Sequence, residues 1–304
     1  MMQEIRGRFG GVKAFVLNIK CRFNQAQSLN IAKIMTLVLL LLHFSAGRMK
    51  DLDQLFLSIV TGLTTVIALA YPPLRKHFSI YAILFFCLVF FIVPEWQFKD
   101  NHIYLWMYWL LALFIAHCFK DSKNIIQNNA KYLIGFTMLF ATLQKLRSIN
   151  YISGAFFYFT LLTDPRFHMI GGLFSDRFYI DLNINNAQLL KIQETLEPVY
   201  LSGGSPELLF TAQLLTWLTL LIEASVALTF LVPDRWGLSR FKHLSLIIFC
   251  GIYFLVPIKG FASVLLIMGL ATLKTNETWV KAIYLGLLVY IFWFSNYVLG
   301  ALGI

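Results

Sequence analysis

Charge is scarce in this chain. Asp, Glu, Lys and Arg make up only 13% of its 304 residues, where an ordinary soluble domain carries about a quarter, so a soluble globular domain is excluded. Cysteine is scarce too: Cys21, Cys87, Cys118 and Cys250 are the four. None lies between Arg147 and Pro206, so no disulfide framework is expected there. Neither an H-E-x-x-H nor a paired C-x-x-C spacing occurs, and His43, His77, His117, His168 and His243 are scattered, so no metal is predicted. Acids are fewer than bases, 15 against 25. The bases are dispersed between apolar spans rather than gathered on one soluble face, which argues against nucleic acid as a partner.

What the chain has instead is apolar length. Hydrophobic residues make up 59% of it and the mean hydropathy is +0.71. The apolar runs come in blocks of about 15 to 25 residues, the length that crosses a hydrocarbon core of about 30 Å. The expected fold is an all-α integral membrane protein, a polytopic bundle of about nine transmembrane helices partnered by the lipid bilayer. The expected spans are 31–47, 54–71, 78–93, 103–118, 132–146, 207–232, two short ones within 244–273, and 281–301. Residues 244–273 also admit one kinked helix, because the only break is Pro257-Ile258-Lys259-Gly260.

Residues 1–28 carry Arg6, Arg8, Lys13, Lys20 and Arg22 beside an apolar stripe of Val12, Phe15, Val16, Ile19 and Phe23. That pattern reads as a basic amphipathic cytoplasmic segment, either a helix on an anionic leaflet or a loosely ordered tail that sets topology. It is too polar and too long for a cleaved signal, so the N-terminus is expected to be retained. Residues 29–304 are expected to form the transmembrane domain. Within it, 147–206 is less apolar and reads as an extracytoplasmic loop or cap, in which Phe156 to Leu162 suits a re-entrant or interfacial helix. With the N-terminus inside, the cytoplasmic segments take Arg75, Lys76, Lys120, Lys123, Lys131, Arg235, Arg240 and Lys242, so the bias of basic residues supports a multi-pass cell-membrane protein with a cytoplasmic N-terminus.

The candidate chemistry centres on 100–154. His102 opens one apolar span and Lys145 closes the next, with a basic polar link, Phe119 to Lys131, expected between them. At 1.5 Å per residue they stand about 25 Å and about 21 Å above that link, so an antiparallel pair brings both to one outer level. Lys145 reads either as a snorkelling anchor or, facing the bundle, as a base. His102 reads as an interfacial histidine or as its companion. Glu223, inside the 207–232 span, is a functional candidate by depth, or else a neutral acid bonded to a neighbouring helix.

Asn101-His102-x-Tyr104-Leu105, then Gln144-Lys145-Leu146 followed by Tyr151 and Gly154, resembles the membrane domain of vitamin K-dependent gamma-carboxylase and the wider horizontally transferred transmembrane (HTTM) family. Glu223-Ala224-Ser225 and Gly260-Phe261-Ala262-Ser263 are similar to later elements of that family, so the resemblance covers roughly 30–273. It implies Lys145 as the base that deprotonates a reduced quinone of the naphthoquinone type, and His102 in the same site. Phe249 and Cys250 stand where the family has a histidine-containing helix. The expectation is quinone-linked redox or peptide-modifying chemistry at the outer face, with Glu223 as a secondary acid. The alternative is a non-catalytic accessory protein for maturation, export or immunity of a secreted peptide or protein partner. A transporter is a third class, with little support because no internal repeat is visible.

Overall fold

Proline marks several of the helix ends. The first helix, α1 (Gln27–His43), is followed by α2 (Leu52–Ala70), which stops just before Pro72 and Pro73. Those prolines open a 3-10 turn, Pro72–Lys76, because proline serves in a first turn but cannot continue a helix. Then α3 (Phe78–Ile92) gives way at Pro94 to a second 3-10 turn, Val93–Phe98. After it come α4 (Asn101–His117), α5 (Ser122–Arg147), α6 (Ile149–Ile152), α7 (Ala155–Thr163), α8 (His168–Gly171) and α9 (Phe178–Thr195). The chain finishes with α10 (Pro206–Leu231), α11 (Lys242–Gly251), α12 (Lys259–Ala271) and α13 (Thr278–Ala301). This computed structural model describes residues 27–43, 52–173, 178–195, 200–252, 256, 259–274 and 277–301, and no strand occurs among them. The fold is all-α. The basic segment 1–28 lies outside the described residues except at its last two positions, which belong to α1.

Among the described residues, three stretches are long and apolar enough to cross a membrane: Leu52–Ala70, Phe78–Phe98 and Pro206–Leu231. That corrects the expectation of about nine. Gln27–His43, Gly260–Ala271 and Thr278–Trp293 are apolar but shorter, while α11 has 10 residues and so spans about 15 Å. The surface of α2 supports membrane association. Leu55, Phe56, Ile59, Leu63, Val66 and Ile67 are all exposed along it, an apolar surface that water does not favour.

A second correction concerns the link expected between Phe119 and Lys131. Only Cys118–Asp121 turns; from Ser122 the chain is already helical. Ile126, Ala130, Ile134 and Met138 are wholly buried and Thr142 nearly so, one residue in every four. This stripe makes the polar residues between its members the outer face of a helix rather than a loop. The break in 244–273 yields two helices, α11 and α12; Pro257 and Ile258 themselves lie outside the described residues.

The chain divides into two units, Met1–Leu133 with Ser263–Gly286, and Ile134–Ala262 with Leu287–Ile304. In the first, α2 packs on α3 and α3 on α4, with Leu37, Tyr81, Leu84, Trp109, Leu110 and Leu113 buried. Trp109 Nε1 donates to Thr36 Oγ1 at 3.0 Å, which ties α4 to α1 through a buried pair. In the second unit α6, α7 and α11 pack on α10, and α9 packs on α7. Asn185 of α9, fully buried, donates to Leu162 O at 2.9 Å and accepts from Ser202 N at 2.8 Å, locking the stretch after α9 to α7. Most helical hydroxyls are closed locally. Thr36, Thr142, Thr216, Thr219, Ser225 and Thr229 each donate to the carbonyl four residues earlier.

Candidate functional site

The site is built where α5 ends. Lys145 lies in the last turn of α5. Ser148 then caps α6, its hydroxyl accepting from Tyr151 N at 3.3 Å. The single turn of α6 is stopped by Gly154, whose φ of 82° is left-handed and whose Cα faces Gln213 of α10 so closely that an added Cβ would stand 3.1 Å from the Gln213 backbone nitrogen. Both the turn and the close approach require glycine there. The chain can therefore double back and lay α7 along the first half of α10.

This reversal sets Tyr151 over the end of α5. Lys145 Nζ sits 5.2 Å from the centre of the Tyr151 ring, a cation–π contact. The same ammonium donates to Glu223 Oε1 of α10 in an ion pair. The Lys145 side chain is 25% exposed and that of Glu223 6%, so the carboxylate is the buried partner and the ammonium its link toward the surface. Glu223, in the second half of α10, therefore stands level with the end of α5, because the first half of α10 runs on beside α6 and α7.

Two polar atoms here are left over. Glu223 Oε2 and Tyr151 Oη are both buried with no hydrogen-bond partner of ordinary geometry among the described residues. Burial, and after it the Glu223 charge, raises the Tyr151 phenol above its ordinary pKa, with the Thr219 hydroxyl pulling weakly the other way. The phenol is thus a donor and not an anion. Buried polar atoms without partners are uncommon in folded proteins, and their convergence beside an ion pair marks a place for a small polar group. The walls are aromatic: Phe156 is stacked on Tyr151 at 5.4 Å between centroids, Phe157 is edge-on to it at 5.7 Å, and Phe157 meets Phe167 at 6.2 Å. Leu161, Leu208, Ala212 and Leu220 complete the apolar cluster.

Of the residues singled out from sequence, Lys145 and Glu223 are brought together in one unit. His102 belongs to the other unit, where its Nδ1 is 3.9 Å from Asp100 Oδ2 and its ring lies edge-on to His43 at 5.9 Å. Tyr151 was legible only as the aromatic that follows Lys145; its role as the lid over the ammonium depends on the Ser148 cap and the Gly154 turn. The arrangement offers a carboxylate oxygen, Glu223 Oε2, and a phenol hydroxyl, Tyr151 Oη, beside the rings of Phe156 and Phe157. No family model, curated protein or solved structure matches the chain.

Proposed function

We propose that this chain is a multi-pass protein of the cell membrane, with its N-terminus cytoplasmic and a membrane domain of the gamma-carboxylase kind, in which the Lys145–Glu223 pair removes a proton from a bound aromatic hydroxyl. The observation that carries the reading is the unpartnered Glu223 Oε2 beside the unpartnered Tyr151 Oη, on an ion pair held over an aromatic ring.

When bound, a reduced quinone supplies an acidic hydroxyl and a ring that dioxygen can oxidise. The chain's own groups do the rest. Lys145 and Glu223 hold one transferable proton between two bases, so the pair has one lone pair to offer in either arrangement. In the charged arrangement that lone pair is on Glu223 Oε2, which takes the proton. Lys145 Nζ remains as the positive charge nearest the anion left behind, and Tyr151 Oη donates to that anion. The aromatic walls exclude water.

The test is oxygen consumption by the purified chain given a reduced naphthoquinone. Quinol-dependent uptake should be present in the native protein and should fall about 100-fold or more in both Lys145→Ala and Glu223→Gln, each removing one half of the acid–base unit. Absence of uptake in the native protein, or retention in both variants, overturns the reading. The accessory alternative is then tested by co-purification with a secreted peptide that tolerates Lys145→Ala.

A further inference from the structure

The second feature of this molecule that calls for a ligand is in the first unit, and it is independent of the proton-transfer site. Three basic residues and a histidine meet where α1, the Pro72–Lys76 turn and the end of α4 come together. Lys33 of α1 is only 8% exposed and Arg75 only 9%. Lys33 Nζ lies 2.8 Å from His117 Nε2, while His117 Nδ1 is 2.6 Å from the Leu113 carbonyl oxygen. A carbonyl only accepts, so Nδ1 carries the ring proton and Nε2 presents its lone pair to the ammonium. The imidazole is therefore neutral and adds a partner for Lys33 without adding a counter-charge.

Tyr81, fully buried, stacks on the His117 ring at 4.7 Å and donates its hydroxyl to the Arg75 carbonyl at 3.0 Å, joining the histidine to the turn. The Arg75 side chain is nine-tenths buried with its Nε unpartnered. Lys76, exposed at the rim, is close enough for its charge to act on Lys33. No carboxylate among the described residues pairs with Lys33, Arg75 or Lys76. Two buried cations and an exposed third, with the neutral His117 as acceptor beside Lys33, leave this corner short of negative charge among the described residues, and burying a cation without an anion is costly.

We infer that Lys33, Arg75 and Lys76 form a binding site for a phosphate group, that of an anionic phospholipid headgroup or of a free phosphate. The guanidinium suits a phosphate through its fork of donors, the ammoniums through charge, and a basic pocket among apolar helices is a common seat for anionic headgroups. Bound phosphate supplies the acceptor that Arg75 Nε lacks. It also supplies the counter-charge that the neutral His117 cannot.

The experiment follows the unfolding temperature of the full chain in a neutral detergent against dioctanoyl-phosphatidylglycerol, dioctanoyl-phosphatidylcholine and sodium phosphate, the last against sodium chloride of equal ionic strength. The expected result is a saturable rise with phosphatidylglycerol that phosphatidylcholine does not give. Its apparent affinity should fall about tenfold or more in Arg75→Gln, since hydrogen bonds to charged groups are worth about 1.5–3 kcal/mol. Lys33→Met should show the same loss, Lys76→Gln a smaller one, and Arg235→Gln, an exposed basic residue in the turn after α10, none. Without ligand, Arg75→Gln should unfold no lower than the native chain, since it removes a buried unpaired cation; a purely structural arginine would show the opposite. An equal saturable response to sodium phosphate identifies free phosphate as the source. A response to phosphatidylcholine equal to that for phosphatidylglycerol, an undiminished response in both Arg75→Gln and Lys33→Met, or no response to any of the three overturns the assignment.

Discussion

Cutting the Lys145–Glu223 pair from either end should give unequal losses of stability. The Glu223 side chain is 6% exposed, and its second oxygen already lacks a partner. Lys145→Met therefore leaves a buried carboxylate with no hydrogen bond and no counter-charge, a change that costs about 3–5 kcal/mol. The Lys145 side chain is 25% exposed, so in Glu223→Gln the ammonium keeps a weaker amide acceptor and can reach water, a loss of about 1–2 kcal/mol. Replacing both, as Lys145→Met with Glu223→Leu, removes the charges together and should return to within about 1 kcal/mol of the native chain, as buried pairs commonly do when exchanged for apolar residues of similar volume. The assay is reversible unfolding in mixed micelles, read as a double-mutant cycle completed by the Glu223→Leu single variant. A coupling below about 0.5 kcal/mol, or a Glu223→Gln cost at least as large as that of Lys145→Met, would refute the view that the carboxylate is the buried, dependent partner.

Two further outcomes follow from the same unit. Tyr151→Phe removes a buried hydroxyl with no hydrogen-bond partner of ordinary geometry among the described residues and keeps the ring over Lys145, so stability should be unchanged or higher by about 1 kcal/mol while quinol-dependent oxygen uptake falls. Because the phenol's pKa is raised on folding, the stability it contributes is fully present below the unfolded value of about 10 and is lost above it, so unfolding compared between pH 8 and pH 11 should show the gap widening in favour of Tyr151→Phe at the higher pH. Asn185→Ala strands the Leu162 carbonyl and the Ser202 amide, both held by the fully buried amide side chain. The expected loss is about 2–3 kcal/mol, measured by the same unfolding assay, and an effect below about 0.5 kcal/mol would count against a lock between α7 and the stretch after α9.

Helix existence was legible in the sequence wherever apolar length and proline agreed. The ends of α2 and α3 fall within a residue or two of Pro72 and Pro94, as the loss of a donor at proline dictates. The same logic separated α11 from α12. Composition misled at the start of α5, where Lys123, Asn124, Gln127, Asn128 and Lys131 look like a loop. The stripe of Ile126, Ala130 and Ile134 was the better signal, because a helix needs only one apolar face. α9 was missed for a related reason: its buried face is anchored by Asn185, a residue that counts as polar in any hydropathy profile. Lys145 and Glu223 were each visible as costly charges in apolar surroundings. Their pairing was not, since it depends on how far α10 runs past the end of α5, which the Gly154 reversal decides.

The closed hydroxyls of the apolar helices bear on how such a chain is made. A threonine that donates to its own helix, as Thr216 does to Ala212, asks nothing of any neighbour, so a segment carrying only such groups can leave the translocon and enter lipid alone. Glu223 cannot be closed in that way. In the proposed membrane setting its acceptance into the bilayer depends on an ammonium from another segment, and because α5 is synthesised before α10, Lys145 is already in place when the carboxylate emerges. The order of the two residues along the chain thus fits the order in which a ribosome would have to deliver them.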